Sequence, residues 1–210
     1  MKKLRGFKAH TQKEEKKSRA GLYLALFLSV VMLGSIGGVF LSNPTSSADY
    51  TYGKYSFTST ENLWSTKIDG KRVLFYTLPD QAASYDVSPI AMQSIKNSAG
   101  FVISFNPIQN TTQQLQIIDV LRFELADTLV DTYPEKQVYY AVTAHSDQYP
   151  LPIVTCQNSS ISFPVLVVDF GNETAIKYVN DCITITAIDE FSMIALADRI
   201  RYSLYGIIDD

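Results

Sequence analysis

The sequence predicts an α/β chain: an N-terminal transmembrane helix followed by one mixed-sheet domain. Two observations carry this. Residues 20–41 (AGLYLALFLSVVMLGSIGGVFL) hold no Asp, Glu, Lys, Arg or His. Further along, short apolar segments alternate with segments of helical periodicity, the pattern of strands and crossover helices. Composition agrees, because 46% hydrophobic and 12% aromatic residues in a 210-residue chain are too many for a disordered protein.

Charge divides the chain. Residues 1–19 carry eight Lys/Arg and two Glu, net +6, residues 20–48 carry no charge, and residues 49–210 carry ten Lys/Arg and nineteen Asp/Glu, net −9. At about 1.5 Å per residue the apolar run reaches about 33 Å, enough to cross a hydrocarbon core. Asn43-Pro44 stops it, since the residue before proline is pushed out of helical geometry. The basic flank sets a cytoplasmic N-terminus and an outer domain. The expected organisation is a basic cytoplasmic tail (1–19), a transmembrane helix (20–42), a stalk (43–60) and an extracytoplasmic α/β domain (61–210). Cleavage after the small residues Ser46, Ser47 and Ala48 is the competing reading. Gly34 and Gly38 form a GxxxG, a candidate homodimer contact in the bilayer. A net-acidic outer domain excludes nucleic acid as its partner, leaving the lipid bilayer and an unidentified protein.

In the outer domain, Asp69-Gly70 marks a hairpin with arms at 64–67 and 73–76. Ser88-Pro89 starts a helix that runs to Asn97 and ends at Gly100. Residues 101–105 form a strand. Thr111 and Gln114 make a capping box for a helix whose Leu115, Ile118, Leu121, Leu125 and Leu129 share one face. A strand at 138–142, a loop at 146–163 and a wholly apolar strand at 165–168 follow. Gly171-Asn172 is expected to turn that strand directly back through 174–179, before an extended 182–186. Asp189 caps a last helix, with Met193, Ile194, Ala197, Ile200 and Leu204 inward and Gly206 at its end.

The segment from Phe163-Pro164 through residues 165–173, between a β-α-β unit and a closing helix, resembles the proline-led strand and glycine turn of the thioredoxin-like fold. The resemblance covers residues 101–206 and implies a cis bond at Pro164. It lacks the family's CxxC: Asn106, Pro107, Ile108, Gln109 and Asn110 stand where the cysteines would be. The pieces LWSTKIDGKRVLF, LPIVTCQNSS and RIRYSLYGI resemble uncharacterised single-span archaeal membrane proteins, which implies an anchored outer domain and no particular activity.

Candidate chemistry is sparse. No HExxH, P-loop, GxGxxG or CxxC occurs. His145, with Ser146 and Asp147, supplies triad residue types at adjacent positions, whereas a triad is assembled from distant ones. Asp119, Glu124, Asp127 and Asp131 mark one helix, as a solvated acidic face or a cation site. Cys156 and Cys182 are expected to form a structural disulfide outside the membrane, with a redox-active pair as the alternative. Asn110, Asn158 and Asn172 open glycosylation sequons in loops. No catalytic residue, metal or cofactor is assigned. The expected function is a membrane-anchored, non-catalytic binding or scaffolding domain; the alternative is a thiol–disulfide or chaperone-like protein using Cys156 and Cys182.

Overall fold

The computed structural model describes residues 49–209 and, before them, Tyr23, Phe27, Leu28, Ser29 and Val31, which are helical. The basic tail, the remainder of the apolar run with Gly34 and Gly38, and residues 43–48 lie outside the described residues. Among the described residues no helix is long and apolar enough to cross a membrane. The fold described below belongs to the unit Ser47–Asp210.

Four strands open it: β1 (Asp49–Tyr52), β2 (Tyr55–Thr60), β3 (Leu63–Ile68) and β4 (Lys71–Phe75), an antiparallel sheet in sequential order. The stalk therefore does not extend to residue 60. Its tyrosines alternate: Tyr50 and Tyr52 pair across to Phe57 and Tyr55, and this row faces a core. Asp69 and Gly70 both have positive φ (49° and 80°), the two-residue turn the sequence predicts, and it places Lys67 opposite Arg72.

A short helix α1 (Pro79–Ala83), which sequence periodicity does not reveal at five residues, leads to β5 (Asp86–Val87) and α2 (Pro89–Asn97). Ser88 caps α2 by accepting from the Ala91 amide, and Pro89 takes the first turn, as predicted. Gly100 opens β6 (Gly100–Phe105), where a Cβ would stand 2.2 Å from the Gln137 carbonyl oxygen of the neighbouring strand. Then come α3 (Thr112–Thr132), β7 (Gln137–Val142), a 3₁₀ turn at Cys156–Asn158, β8 (Val165–Phe170), β9 (Ala175–Val179), β10 (Cys182–Ala187) and α4 (Glu190–Leu204). The Thr111–Gln114 capping box forms in both directions.

These later strands build a mixed sheet in the order β5-β9-β10-β8-β6-β7. The apolar strand β8 lies centrally between β6 and β10, parallel to both. Its expected hairpin with β9 does not form. β10 lies between them, and the tight turn is at Asn180-Asp181, with positive φ at both residues (51° and 63°). Gly171 instead hydrogen-bonds through its amide to Ala187 of β10. The peptide bond before Pro164 is trans, as are all those described, correcting the cis expectation.

Register puts Phe101, Ile103, Phe105, Leu166, Val168, Ile176, Ile183 and Ile185 on one face of this sheet. They form the main core with α2, α3 and α4, and all five predicted leucine-row positions of α3 are buried there. The opposite face carries Ser104 and Cys182, and the chain after β7 crosses it: the Ser104 hydroxyl donates to the Val154 carbonyl at 2.6 Å. A second core joins the inner face of β1–β4 (Phe57, Ile68, Val73, Phe75) to Ala82, Tyr202, Ile207 and Ile208. Helix α4 serves both cores, and so is buried almost all round, including Asp198, Arg199 and Arg201.

Candidate functional site

The deepest charged group is Asp198, fully buried where α4 passes the end of β4. Its Oδ2 accepts from the Tyr76 amide (2.7 Å), the Thr77 amide (2.8 Å) and the Thr77 hydroxyl (3.0 Å). One helical turn on, Arg201 donates from Nη1 to Asp198 Oδ1 (3.0 Å) and Glu124 Oε2 (3.1 Å). Its Nε donates to Thr128 Oγ1 (3.1 Å) and its Nη2 to the Leu74 carbonyl (2.8 Å). The guanidinium also stands 4.7 Å from the Phe75 ring centroid. Burial pushes the Asp198 carboxyl up to about 6, although Arg201 and the Thr77 and Tyr76 amides pull the other way. The arrangement ties the antiparallel sheet, α3 and α4 together. Its polar atoms are spent on one another, the condition under which buried charges are tolerated.

A second ionic cluster belongs to Arg122 on α3. Its guanidinium lies 5.1–5.7 Å from the centroids of Phe105, Phe123, Tyr140 and Tyr149. Nε is 3.0 Å from Asp119 Oδ1, and the Tyr149 hydroxyl donates to Asp119 Oδ2 at 3.0 Å. This fastens the loop after β7 to α3 by cation–aromatic and hydrogen-bond contacts.

The structure brings together some of the residues nominated from sequence and separates others. Of the acidic positions of α3, Glu124, Asp127 and Asp131 line one concavity of about 280 Å³ with Lys71, Arg72 and Arg201, where Glu124 pairs with Arg201 and Asp131 with Lys71, whereas Asp119 serves Arg122 and Tyr149. No group of three or more His, Cys, Asp or Glu side chains among the described residues is placed to hold a metal ion. His145 Nε2 is 3.4 Å from Asp147 Oδ1, and with side chains 82% and 104% exposed the pair stands in solvent. Cys156 and Cys182 are bonded, with Cα atoms 5.2 Å apart and 26 positions apart in sequence. The bond closes one side of a cavity of about 390 Å³, lined also by Gln157, Ser159, Val179, Asn180 and Thr184. Of the sequon asparagines, Asn158 and Asn172 are exposed, but Asn110 is 9% exposed. Its Nδ2 donates to the Asn106 carbonyl and to Asp169 Oδ1, both at 2.7 Å, so the expected surface position does not hold there. That carboxyl is raised by burial.

A concavity of about 570 Å³ lies on the outer face of β2–β4, lined by Lys54, Tyr55, Ser56, Thr58, Ser65, Thr66, Lys67 and Arg72. The β2–β3 ladder covers only Thr58–Thr60 against Leu63–Ser65. Beyond it the Thr66 hydroxyl donates to the Ser56 carbonyl at 2.9 Å, and the concavity opens where the ladder stops. Lys54 Nζ stands 5.2 Å from the Tyr55 ring centroid, and Arg72 Nη2 donates to Thr60 Oγ1 at 3.0 Å. The sequence did carry one signal for this site. A two-residue turn pairs positions equidistant from it, so Asp69-Gly70 sets Lys67 opposite Arg72. The buried Asp198 and Arg201 had a weaker one, a closing helix with no continuous polar face.

Compared with protein-family models, curated proteins and solved structures, the chain matches none.

Proposed function

We propose that this protein is a membrane-anchored, outward-facing binding or scaffolding domain without a catalytic centre, tethered through residues 20–42. The observation that carries the reading is the outer-face concavity of β2–β4, whose lining offers the cations Lys54, Lys67 and Arg72. Asp198, Arg201, Glu124 and Arg122, the ionic groups best placed for chemistry, are engaged in holding elements together. The net +6 flank before the apolar run and the bonded cysteines support the outward placement, since disulfides persist in oxidising compartments. So does the resemblance to single-span archaeal membrane proteins.

The test is topological. In sealed vesicles of native orientation, a tag after residue 210 is cleaved by external protease and a tag before residue 1 is protected. The opposite pattern overturns the placement, and release of the chain by carbonate extraction overturns the anchor.

One observation favours a second reading, thiol–disulfide chemistry: the Cys156–Cys182 bond borders a cavity. That cavity's lining has no cationic side chain to stabilise a thiolate, which weighs against it. Alkylation across a glutathione series separates the two readings. A structural bond stays oxidised, whereas a catalytic one titrates near the potentials of oxidoreductases.

A further inference from the structure

We infer that the free edge of β7, with the adjoining side of α3, is a self-association surface that receives the same edge of a second copy of this chain across a two-fold axis. The inference goes beyond the binding-domain reading and does not depend on it.

β7 is an outermost strand of the mixed sheet, and its inner ladder is complete, since all six residues Gln137–Val142 pair with β6. On its outer side only Val142 is paired. Its amide donates to the Pro152 carbonyl (3.0 Å) and its carbonyl accepts from the Val154 amide (2.9 Å), around the bridge to Ile153. Backbone groups of a strand alternate in direction with a period of two, so those of Val138 and Tyr140 point the same way as those of Val142. The Gln137 and Thr143 amides donate to Ala99 and Phe105 on the β6 side, which fixes that phase. Among the described residues nothing bonds the outward groups of Val138 and Tyr140.

Exposed edges are ordinarily blunted by shortness, charge or a covering group. β5 is two residues long, β1 is four and begins at Asp49, and β4 carries Lys71 and Arg72 while Arg201 takes its Leu74 carbonyl. β7 has none of these devices at Val138–Tyr140. Its sequence QVYYAV holds no charge or proline and its register no bulge, the character of a segment that recruits another strand.

An apolar strip lies beside this edge. The Phe123 and Tyr140 rings are 5.7 Å apart, which sets one side of α3 against β7. Ala126 and Val130 continue that side at helical spacing, and Phe123 and Val130 are each 57% exposed. Joining the parallel strands β6 and β7, α3 runs opposite to both. The strip from Phe123 to Val130 covers about 10 Å, the span of β7 from Tyr140 back to Gln137.

Charge identifies the occupant. Residues 49–210 are net −9, so two copies repel wherever their charged surfaces meet and can join only where neither presents charge. The edge and strip meet that condition. Asp127 and Asp131 line the concavity beside β4, Asp119 is held by Arg122 and Tyr149, and Glu135 stands at the rim, two residues before β7. A basic partner would be drawn to those carboxylates instead. Under two-fold symmetry one patch serves both copies. β7 then pairs antiparallel with its equivalent, and the two α3 strips lie side by side.

The test uses the full chain in detergent micelles, where copies can separate. Sedimentation over a dilution series should show a dimer that dissociates, and amide exchange at Val138 and Tyr140 should slow as the dimer fills. Phe123→Glu with Val130→Glu sets like charges across the axis and should raise the dissociation constant about tenfold or more. Both side chains are exposed, and a melting curve matching the dilute parent verifies the fold. Tyr139→Cys gives an independent reading, because Cys156 and Cys182 are bonded to each other. A short bis-maleimide should link this variant into a dimer and leave Asn172→Cys unlinked.

A chain that stays monomeric at every concentration overturns the inference, as does equal linkage of the two cysteine variants. So does a dimer whose Val138 and Tyr140 amides exchange freely. A dimer abolished by Gly34→Leu with Gly38→Leu and untouched by the two glutamates would move the contact to residues 20–42 and overturn it. Protection of both amides in the monomer overturns it as well, since another part of the same chain would then cover the edge.

Discussion

Asp198 and Arg201 show how one helical turn can bind three elements. Removing Arg201 leaves Asp198 and Glu124 without their cation in a buried site, so Arg201→Ala should cost about 3–5 kcal/mol, read as a shift of the denaturant midpoint. Asp198 also makes a pH prediction. Its folded carboxyl is raised from its ordinary value near 3.8 to about 6. The folded state therefore holds the proton more tightly than the unfolded chain, and this group's contribution is present below about pH 4 and lost as pH rises towards 6. Denaturant midpoints should decline across that window in the parent and lose that component in Asp198→Asn, whatever the variant's absolute stability. A window unchanged in the variant would assign the titration elsewhere.

At the scale of elements, the chain between β7 and β8 is the least regular part of the fold, held by a bridge from Ile153 to Val142, by the Ser159 hydroxyl on the Asp181 carbonyl and by three further side-chain attachments. Tyr149 holds it to α3, the Ser104 hydroxyl donates to its Val154 carbonyl and holds it to the sheet, and Cys156 bonds it to β10. Closing a loop of 26 positions should stabilise by about 3–4 kcal/mol through lost unfolded-chain entropy. Replacing both cysteines by serine should lower the unfolding midpoint accordingly and speed amide exchange at Val154, while the α3 leucine row stays protected. Uniform loss of protection would show that the bond supports the whole sheet instead. Most elements were legible because their signals are local: Ser88-Pro89, the Thr111–Gln114 box, the Asp69-Gly70 turn and the Asp189 cap each act within four residues. The strand pair β1–β2 was missed because serine, threonine and lysine interrupt its tyrosines. The β8–β9 hairpin was misread because Gly171-Asn172 resembles a turn, while the tighter one uses Asn180-Asp181.

At the scale of the molecule, α4 is the shared wall of two cores. Met193, Leu196 and Ile200 lie in the core of the mixed sheet, while Tyr202 stacks on Phe75 with centroids 4.1 Å apart and donates its hydroxyl to the Thr77 carbonyl. The outer domain should therefore unfold in a single transition followed by two probes, Trp64 fluorescence in the first sheet and far-ultraviolet circular dichroism. Tyr202→Ala, at a cost of about 3–5 kcal/mol, should separate the two transitions, with Trp64 reporting first. Coincident transitions in the variant would show that the polar clamp alone couples the sheets.

The sequence by itself determined where helices begin, which faces of α3 and α4 are apolar, that Asp69-Gly70 reverses the chain, and how charge is partitioned between its first nineteen residues and the outer segment. Each of these follows from spacing, caps or counting along a continuous stretch. Only the tertiary structure decided that β10 enters between β8 and β9, that Asn110 turns inward to Asp169, and that Asp198 and Arg201 are buried. Strand order and burial depend on which distant surfaces compete for the same apolar face. The same helix can present Asp198 to water or to the amides of Tyr76 and Thr77, and that choice is made by the chain just after β4, 121 positions away at Thr77.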